Sequence, residues 1–201
     1  MIYLRNQKGV VMAKILYLMR HGETLFNVQK RIQGACDSPL TELGIHQAKI
    51  AKEYLKDITF DHYYCSTSER CSDTLELIIE DQAYTRLKGI KEFNFGSYEG
   101  QPQYLEPSNY EDYETFFVPF GGEKASDMEK RVIDTLTTVM EKCDHECVLA
   151  VSHSGASMYF LKHWEEDAEE IIEAGVGNCT IFKYAYEDKK FKLFDVIRPK
   201  F

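Results

Sequence analysis

Long apolar runs and an excess of positive charge are both missing from this 201-residue sequence. No stretch of about 20 apolar residues is available to cross a bilayer, and the N-terminal segment lacks the pattern of a secretory signal. The net charge is −9, so the chain as a whole repels nucleic-acid phosphates and anionic lipids. We therefore expect a cytoplasmic protein without a nucleic-acid or membrane partner. An anionic substrate would have to be attracted by a few cations gathered at one site.

Paired cysteine motifs are also scarce. The six cysteines are scattered along the chain, which fits reduced thiols better than a disulfide framework. Cys143, His145 and Cys147 contain soft ligands, but their spacing does not match C-x2-C zinc pairs and no second half-site follows. We predict neither a metal site nor a cofactor.

The composition is that of one globular domain, with 44% apolar and 28% charged residues. The first eleven residues stand apart, because Met12 opens a new segment that runs directly into an apolar stretch. We predict a dispensable extension over residues 1–11 and a single domain over residues 12–201. The sequence gives no prediction of the oligomeric state.

Short apolar runs alternate with helical patterns along the chain, which predicts an α/β fold with a mostly parallel sheet, antiparallel at one edge. Thr41 is a predicted helix N-cap. Residues 93–122 lack periodicity and are rich in aromatic residues, which predicts a long covering segment. The predicted strands are 15–19, 62–65, 87–91 and 147–152, with a final hairpin of 180–186 and 191–197. The predicted helices are 41–55, 69–79, 126–141 and one that follows residue 155 and ends near residue 164.

Polar residues follow three of the predicted strands directly. They are Arg20-His21, the segment from Ser66 to Arg70, and His153-Ser154. Since ligands of parallel sheets bind beyond the carboxyl ends of the strands, these groups are expected to meet at one site.

The residue types at this site suit phosphoryl transfer without a metal. The forked guanidinium groups of Arg20 and Arg70 could each bind two phosphoryl oxygens. The neutral imidazole of His21 could act as the nucleophile. Glu92 is the predicted proton donor to the leaving group, and Glu99 is a competitor for that role.

Several motifs in this chain resemble, in order, those of the histidine phosphatase superfamily, also called phosphoglycerate mutase-like. The resemblance spans residues 14 to about 181. It is carried by Leu18-Met-Arg20-His21-Gly22-Glu23-Thr24, Asn27, Arg31, Gln33-Gly34, Asp37, Pro39-Leu40-Thr41, Gly44, Ser66-x-x-x-Arg70, Thr74, Glu92-Phe-Asn-Phe-Gly96, Glu99-Gly100, Gly122-Glu123, Arg131 and Ser152-His153.

The resemblance implies a three-layer α/β sandwich with helices on both faces of the sheet. It implies that His21 is phosphorylated and that Glu92 protonates the leaving group. Arg20, Arg70 and His153 would bind phosphoryl oxygens, and further substrate contacts would come from Thr24, Asn27, Gln33, Gly34 and Ser154. Ser154 is a departure, because the family usually has glycine after the second histidine. Its hydroxyl could crowd or contact the substrate.

Other classes of protein fit less well. Ser152-His-Ser154-Gly-Ala lacks both glycines of a serine-hydrolase elbow. Cys65 to Arg70 is one residue shorter than a cysteine-phosphatase loop, and Gly175-x-Gly177 lacks the rest of a dinucleotide or P-loop motif. A non-catalytic phosphoester-binding relative stays open as an alternative.

Mutase activity is the remaining alternative within the superfamily. A mutase must hold a carboxylate and a second phosphate, yet no basic residue lies between residues 92 and 123. We therefore predict a phosphatase for small phosphomonoesters of modest charge, with broad tolerance.

Overall fold

A separate strand pair precedes the main fold. The computed structural model describes residues 3–6 and 9–201, and side chains from residue 13 onward except those of residues 110 and 111. Strands β1 (Tyr3–Asn6) and β2 (Gly9–Met12) pair antiparallel as their own two-stranded sheet. Residues 1, 2, 7 and 8 of the predicted extension lie outside the described residues. That the extension is dispensable stays a prediction.

A six-stranded sheet forms the centre of the chain, in the order β5-β4-β6-β3-β7-β8. The first four strands are parallel, and β7 and β8 are antiparallel to their neighbours. The predicted mostly parallel sheet with an antiparallel edge is therefore confirmed. The strands are β3 (Lys14–Arg20), β4 (His62–Ser66), β5 (Thr85–Leu87), β6 (Cys147–Ser152), β7 (Ile181–Glu187) and β8 (Lys190–Ile197).

Helices cover both faces of this sheet, as predicted. Alternate side chains of β3 enter two cores: Leu16 and Leu18 pack on one side, Tyr17 and Met19 on the other. The first core includes α4 (Ala125–Met140), α5 (Ser154–Trp164) and α6 (Ala168–Glu173), and the second includes α2 (Glu42–Leu55) and α3 (Glu69–Ile79). Among the described residues, no helix has the length and apolar character to cross a bilayer.

The predicted N-cap is present at the start of α2, where the Thr41 hydroxyl accepts a hydrogen bond from the Gly44 amide at 3.0 Å. Helix α3 has the predicted bounds. Two short helices, α1 (Leu25–Val28) and α6, were not predicted.

The strand predicted over residues 87–91 is wrong in its bounds. Strand β5 ends at Leu87, and residues Lys88–Ile90 form a 3-10 turn. Arg131 of α4 explains this ending, because its guanidinium donates to the carbonyls of Gly89 at 2.9 Å and Lys91 at 2.7 Å. A tertiary contact therefore satisfies the carbonyls that a neighbouring strand would otherwise bind.

The aromatic segment over residues 93–122 contains four 3-10 turns, Gly96–Tyr98, Gln103–Leu105, Tyr110–Glu114 and Val118–Phe120. Its centre is the fully buried Phe117. The ring of Phe117 makes edge-to-face contacts with Phe95 at 4.9 Å, Tyr98 at 5.4 Å and Tyr113 at 5.5 Å between centroids. Ring packing, which aromatic side chains favour in this orientation, takes the place of a regular element here.

Candidate active site

His21 follows the last residue of β3, and its backbone amide extends the pairing with β6 by donating to the Ser152 carbonyl at 3.0 Å. The imidazole is buried, and its Nδ1 lies 2.7 Å from the Gly22 carbonyl oxygen. Because a carbonyl can only accept, Nδ1 carries the proton. Nε2 therefore presents a lone pair, as a nucleophile requires.

The surroundings of His21 keep its imidazole neutral. Burial lowers the pKa of His21 well below its usual range, and the nearby charges of Arg70 and Arg20 lower it further. Both effects act in the same direction, since each disfavours a second positive charge in the site. The lone pair on Nε2 is thus available at neutral pH.

Arg70 lies in the first turn of α3 and is completely buried. Its Nε donates to His21 Nε2 at 3.2 Å, and its Nη2 donates to His153 Nδ1 at 2.8 Å. Nη1 forms a salt bridge of 2.9 Å with Asp37, and Nη2 also donates to the Gly34 carbonyl at 3.0 Å. The guanidinium therefore links both histidines and is held in one orientation.

His153 directly follows the last residue of β6, as His21 follows the last residue of β3. The parallel pairing of these two strands therefore places His153 beside His21. The two ring centroids lie 5.4 Å apart. Since Nδ1 accepts from Arg70, Nε2 carries the proton and donates to the Ser66 hydroxyl at 2.8 Å. Burial, followed by the charge of Arg70, lowers the pKa of His153 well below its usual range.

Arg20 contains a donor that the protein leaves unsatisfied. Its Nη1 donates to the Val176 carbonyl at 2.6 Å, but its buried Nε has no hydrogen-bond partner among the described residues. Burial lowers the pKa of Arg20, while the nearby Glu92 raises it. A buried N–H without an acceptor is costly, and an anion bound in the cleft could satisfy it.

The side chain of Glu92 is buried against the N-terminus of α5. Its carboxylate accepts hydrogen bonds from the backbone amides of Gly155 at 2.8 Å and Ala156 at 3.0 Å. A Cβ atom at position 155 would lie 2.5 Å from Glu92 Oε1, so only glycine allows this approach. The carboxyl group lines the same cleft as His21 and Arg20.

Glu99, the competitor for the acid role, has a different environment. Its carboxylate accepts hydrogen bonds from the backbone amides of Gly34, Ala35, Cys36 and Phe95 at 2.7 to 3.0 Å. Burial raises the pKa of Glu99, but the hydrogen bonds from Cys36, Ala35 and Phe95 outweigh it and bring the pKa below its ordinary value. Glu99 therefore ties two loops together as an anion, and it is not among the residues that line the cleft.

The predicted substrate-binding residues divide into two groups. Asn27, Gln33 and Ser154 line the cleft. Thr24 is buried as the N-cap of α1 and donates to Gln33 at 2.7 Å, while the Gly34 carbonyl accepts from Arg70. Thr24 and Gly34 thus support neighbouring residues and do not line the cleft themselves.

The whole cleft has a volume of about 210 Å³, and sequence reasoning missed most of the residues that line its outer part. Sequence reasoning also missed the roles of two motif residues, Asp37 as the partner of Arg70 and Ser66 as the acceptor for His153. Their presence in the motifs was the available signal. The additional lining residues are Arg31, Phe93, Phe95, Gln103, Glu106, Tyr113, Met128, Gly155, Met158 and Tyr159.

The cysteine-based alternatives find no support in the geometry. Burial raises the pKa of Cys65 to about 12, so its thiol is a poor nucleophile. Cys143 is exposed, and His145 instead stacks on His62 beside Asp144. That group lies at the amino ends of β4 and β6, at the sheet edge opposite the cleft.

The fold and the site together describe an α/β protein with two neutral histidines and two arginines at the carboxyl edge of a parallel sheet. Residues 16–196 match the family model of the histidine phosphatase superfamily, branch 1. The chain therefore belongs to this superfamily, and the resemblance inferred from its motifs is confirmed.

Similar proteins within the superfamily include both phosphatases and mutases. The chain is 28% identical over 180 residues to the uncharacterized phosphatase PhoE of Bacillus subtilis, covering 89% of this chain and 91% of that protein. It is 29% identical over 186 residues to the probable phosphoglycerate mutase GpmB of Yersinia pestis, covering 86% and 85%. A phosphoserine phosphatase from Entamoeba histolytica, solved with 3-phosphoglyceric acid, has a TM-score of 0.74, 26% identity and coverage of 90% and 95%.

Proposed function

We propose that this protein is a phosphomonoester hydrolase that acts through a phosphohistidine on His21. The observation that carries the proposal is the state of the imidazole: its Nδ1 proton is held by Gly22 and its Nε2 lone pair faces Arg70. The superfamily's phosphatase and mutase relatives support an enzyme that binds small phosphorylated molecules.

In the first step, His21 Nε2 attacks the phosphorus and the bond from phosphorus to the ester oxygen breaks. The Arg70 Nε–H that now contacts His21 then becomes free to donate to a phosphoryl oxygen, and the unsatisfied Arg20 Nε–H can do the same. Glu92 acts in its protonated form and gives its proton to the leaving alkoxide.

In the second step, a water molecule attacks the phosphorus of the phosphohistidine. Glu92, now a carboxylate, accepts a proton from that water while the bond between nitrogen and phosphorus breaks. Inorganic phosphate leaves, and His21 regains its neutral form.

Hydrolysis is favoured over mutase activity by the composition of the covering segment. Residues 93–122 contribute no cation, whereas a phosphoglycerate mutase must bind a carboxylate and a second phosphate. Mutase-type transfer and non-catalytic binding of phosphoesters are the two competing functions. Independence from metals and a cytoplasmic location stay predictions from the sequence.

The experiment is hydrolysis of phenyl phosphate by the wild type and by His21→Ala, both with a chelator. Activity of the wild type and none of His21→Ala is the expected result. Activity of both proteins would place the reaction elsewhere. Failure of the wild type would favour the mutase or the non-catalytic function, and phosphoglycerate as the substrate would then separate these two.

A further inference from the structure

Glu106 is an acidic side chain in a cleft whose inner end is built for an anion. It lines the cleft together with Arg20, His21 and Glu92, and it is half-buried. The mechanism proposed above does not use it. A carboxylate in this position would repel a second anionic group on the substrate, so it disfavours substrates that carry one.

The backbone before Glu106 is hydrogen-bonded to the segment that contains Arg31 and Gln33, two further residues that line the cleft. The Ile32 amide donates to the Gln101 carbonyl at 2.8 Å, and the Gln103 amide donates to the Lys30 carbonyl at 2.9 Å. The Glu106 amide in turn donates to the Gln103 carbonyl at 3.0 Å. Glu106 is therefore held in place before any ligand binds, which lowers the entropic cost of using it for recognition.

The carboxylate of Glu106 is only partly satisfied by the protein. The Tyr113 hydroxyl donates to Oε2 at 2.9 Å. No ion pair with a basic side chain is found for it among the side chains that the structure describes. Burial raises the pKa of Glu106, the Tyr113 hydrogen bond opposes this, and the nearby charge of Glu92 adds to it. A positive charge on a ligand would offset both the desolvation of the Glu106 carboxylate and its repulsion from Glu92.

We infer that Glu106 selects phosphomonoesters whose alcohol carries a positively charged amino group, with the phosphate at His21 and the ammonium at Glu106. This inference rests on the proposed function and names its substrate class. An ammonium is favoured over a hydroxyl because hydrogen bonds between charged groups are about twice as strong as neutral ones.

The test compares matched pairs of substrates that differ in one terminal group. The pairs are 2-aminoethyl phosphate with propyl phosphate and 4-aminobutyl phosphate with pentyl phosphate, and phenyl phosphate reports the basic reaction. We expect kcat/KM of the wild type to favour the amino member of at least one pair by about 10- to 100-fold. Glu106→Gln should remove this preference. Glu53→Gln, the same change at an exposed residue of α2, should keep it.

Each outcome separates the inference from the proposed function. Equal kcat/KM within both pairs would overturn the inference while leaving the phosphatase in place. A preference that survives in Glu106→Gln would overturn the role of Glu106. Absence of hydrolysis of every substrate, phenyl phosphate included, would overturn the proposed function and the inference with it.

Discussion

The floor of the cleft is stabilised by hydrogen bonds, whereas its cover is stabilised by the packing of aromatic rings. The floor is His21 together with the fully buried Arg70 and His153 that lie behind it, and hydrogen bonds to the protein fix all three side chains in orientation. The cover consists of residues 93–122, which pack through the ring of Phe117 and contain neither a basic residue nor a histidine. From this difference we propose that the floor carries the chemistry and that the cover sets stability and selectivity.

The largest expected effect concerns Glu92, which lies where floor and cover meet. Glu92→Gln should lower turnover of alkyl phosphates by about 10²- to 10⁴-fold, because the leaving alkoxide loses its proton donor. Phenyl phosphate should be affected far less, since its leaving group needs no proton. Steady-state kinetics with both substrates tests this.

Glu99→Gln is the matched control for that experiment. Glu99 accepts four backbone hydrogen bonds, so its substitution should reduce stability and slow both substrates by similar factors. A selective loss with alkyl phosphates in Glu99→Gln, and none in Glu92→Gln, would reverse the assignment of the acid.

Phe117→Ala tests the cover. Removing this buried ring should reduce the free energy of unfolding by about 3–5 kcal/mol, because a cavity would form among the surrounding rings. Urea denaturation measures the change, and Phe194→Ala, at a residue that is 55% exposed, should have a much smaller effect. Equal effects of the two variants would mean that ring packing does not hold the cover.

Arg70→Ala tests the floor and should lower turnover of phenyl phosphate by about 10²- to 10³-fold, by analogy with the loss of an oxyanion donor. Arg70→Lys keeps the charge but loses the fork between His21, Asp37 and His153, so it should recover only part of the rate. Arg86→Ala, at an arginine that pairs with Glu69 and does not line the cleft, is the control and should keep a near wild-type rate. A near wild-type rate of Arg70→Ala would dismiss its role.

The smallest expected effect is a pH dependence of stability that originates in the floor. The folded-state pKa values of His21 and His153 lie well below the unfolded value of about 6.5. The unfolded state therefore binds more protons below that pH, and stability is lost as the pH falls. Each histidine contributes a slope of up to about 1.4 kcal/mol per pH unit.

Urea denaturation between pH 7.5 and 5.5 measures this slope, and His153→Gln should flatten it. His21 remains in this variant, and the buried His145 also has a pKa lowered by burial, so part of the slope should remain. A slope unchanged in His153→Gln would show that His153 titrates alike in the folded and unfolded states.

Local sequence patterns were sufficient for most of the sheet and the long helices. The bounds of β6 and α3 follow from a continuous apolar run and from helical periodicity, both of which are local signals. The end of β5 could not be predicted, because Arg131, more than 40 residues away, takes the carbonyls that a longer strand would have paired. Helix α1, only four residues long, leaves too short a pattern to detect.

For the candidate site, the strand ends and the order of the motifs predicted that five residues share one site: His21, Arg20, Arg70, Glu92 and His153. The structure places these five side chains close together. The sequence left Glu92 and Glu99 as competitors, because two carboxylates seven residues apart look alike until their hydrogen-bond partners are known. Both carboxylates accept hydrogen bonds from backbone amides, but Glu92 lines the cleft and Glu99 does not.

The sequence by itself determined the superfamily, the order of the longer strands and helices, and the residues at the carboxyl edge of the sheet, since these depend on local patterns and short motifs. Only the tertiary structure decided which ring nitrogen of His21 bears the proton, that Arg20 Nε has no acceptor among the described residues, and that Glu106 lines the cleft. The physical reason is that hydrogen-bond partners and burial arise between segments distant in the chain, where sequence spacing carries no information.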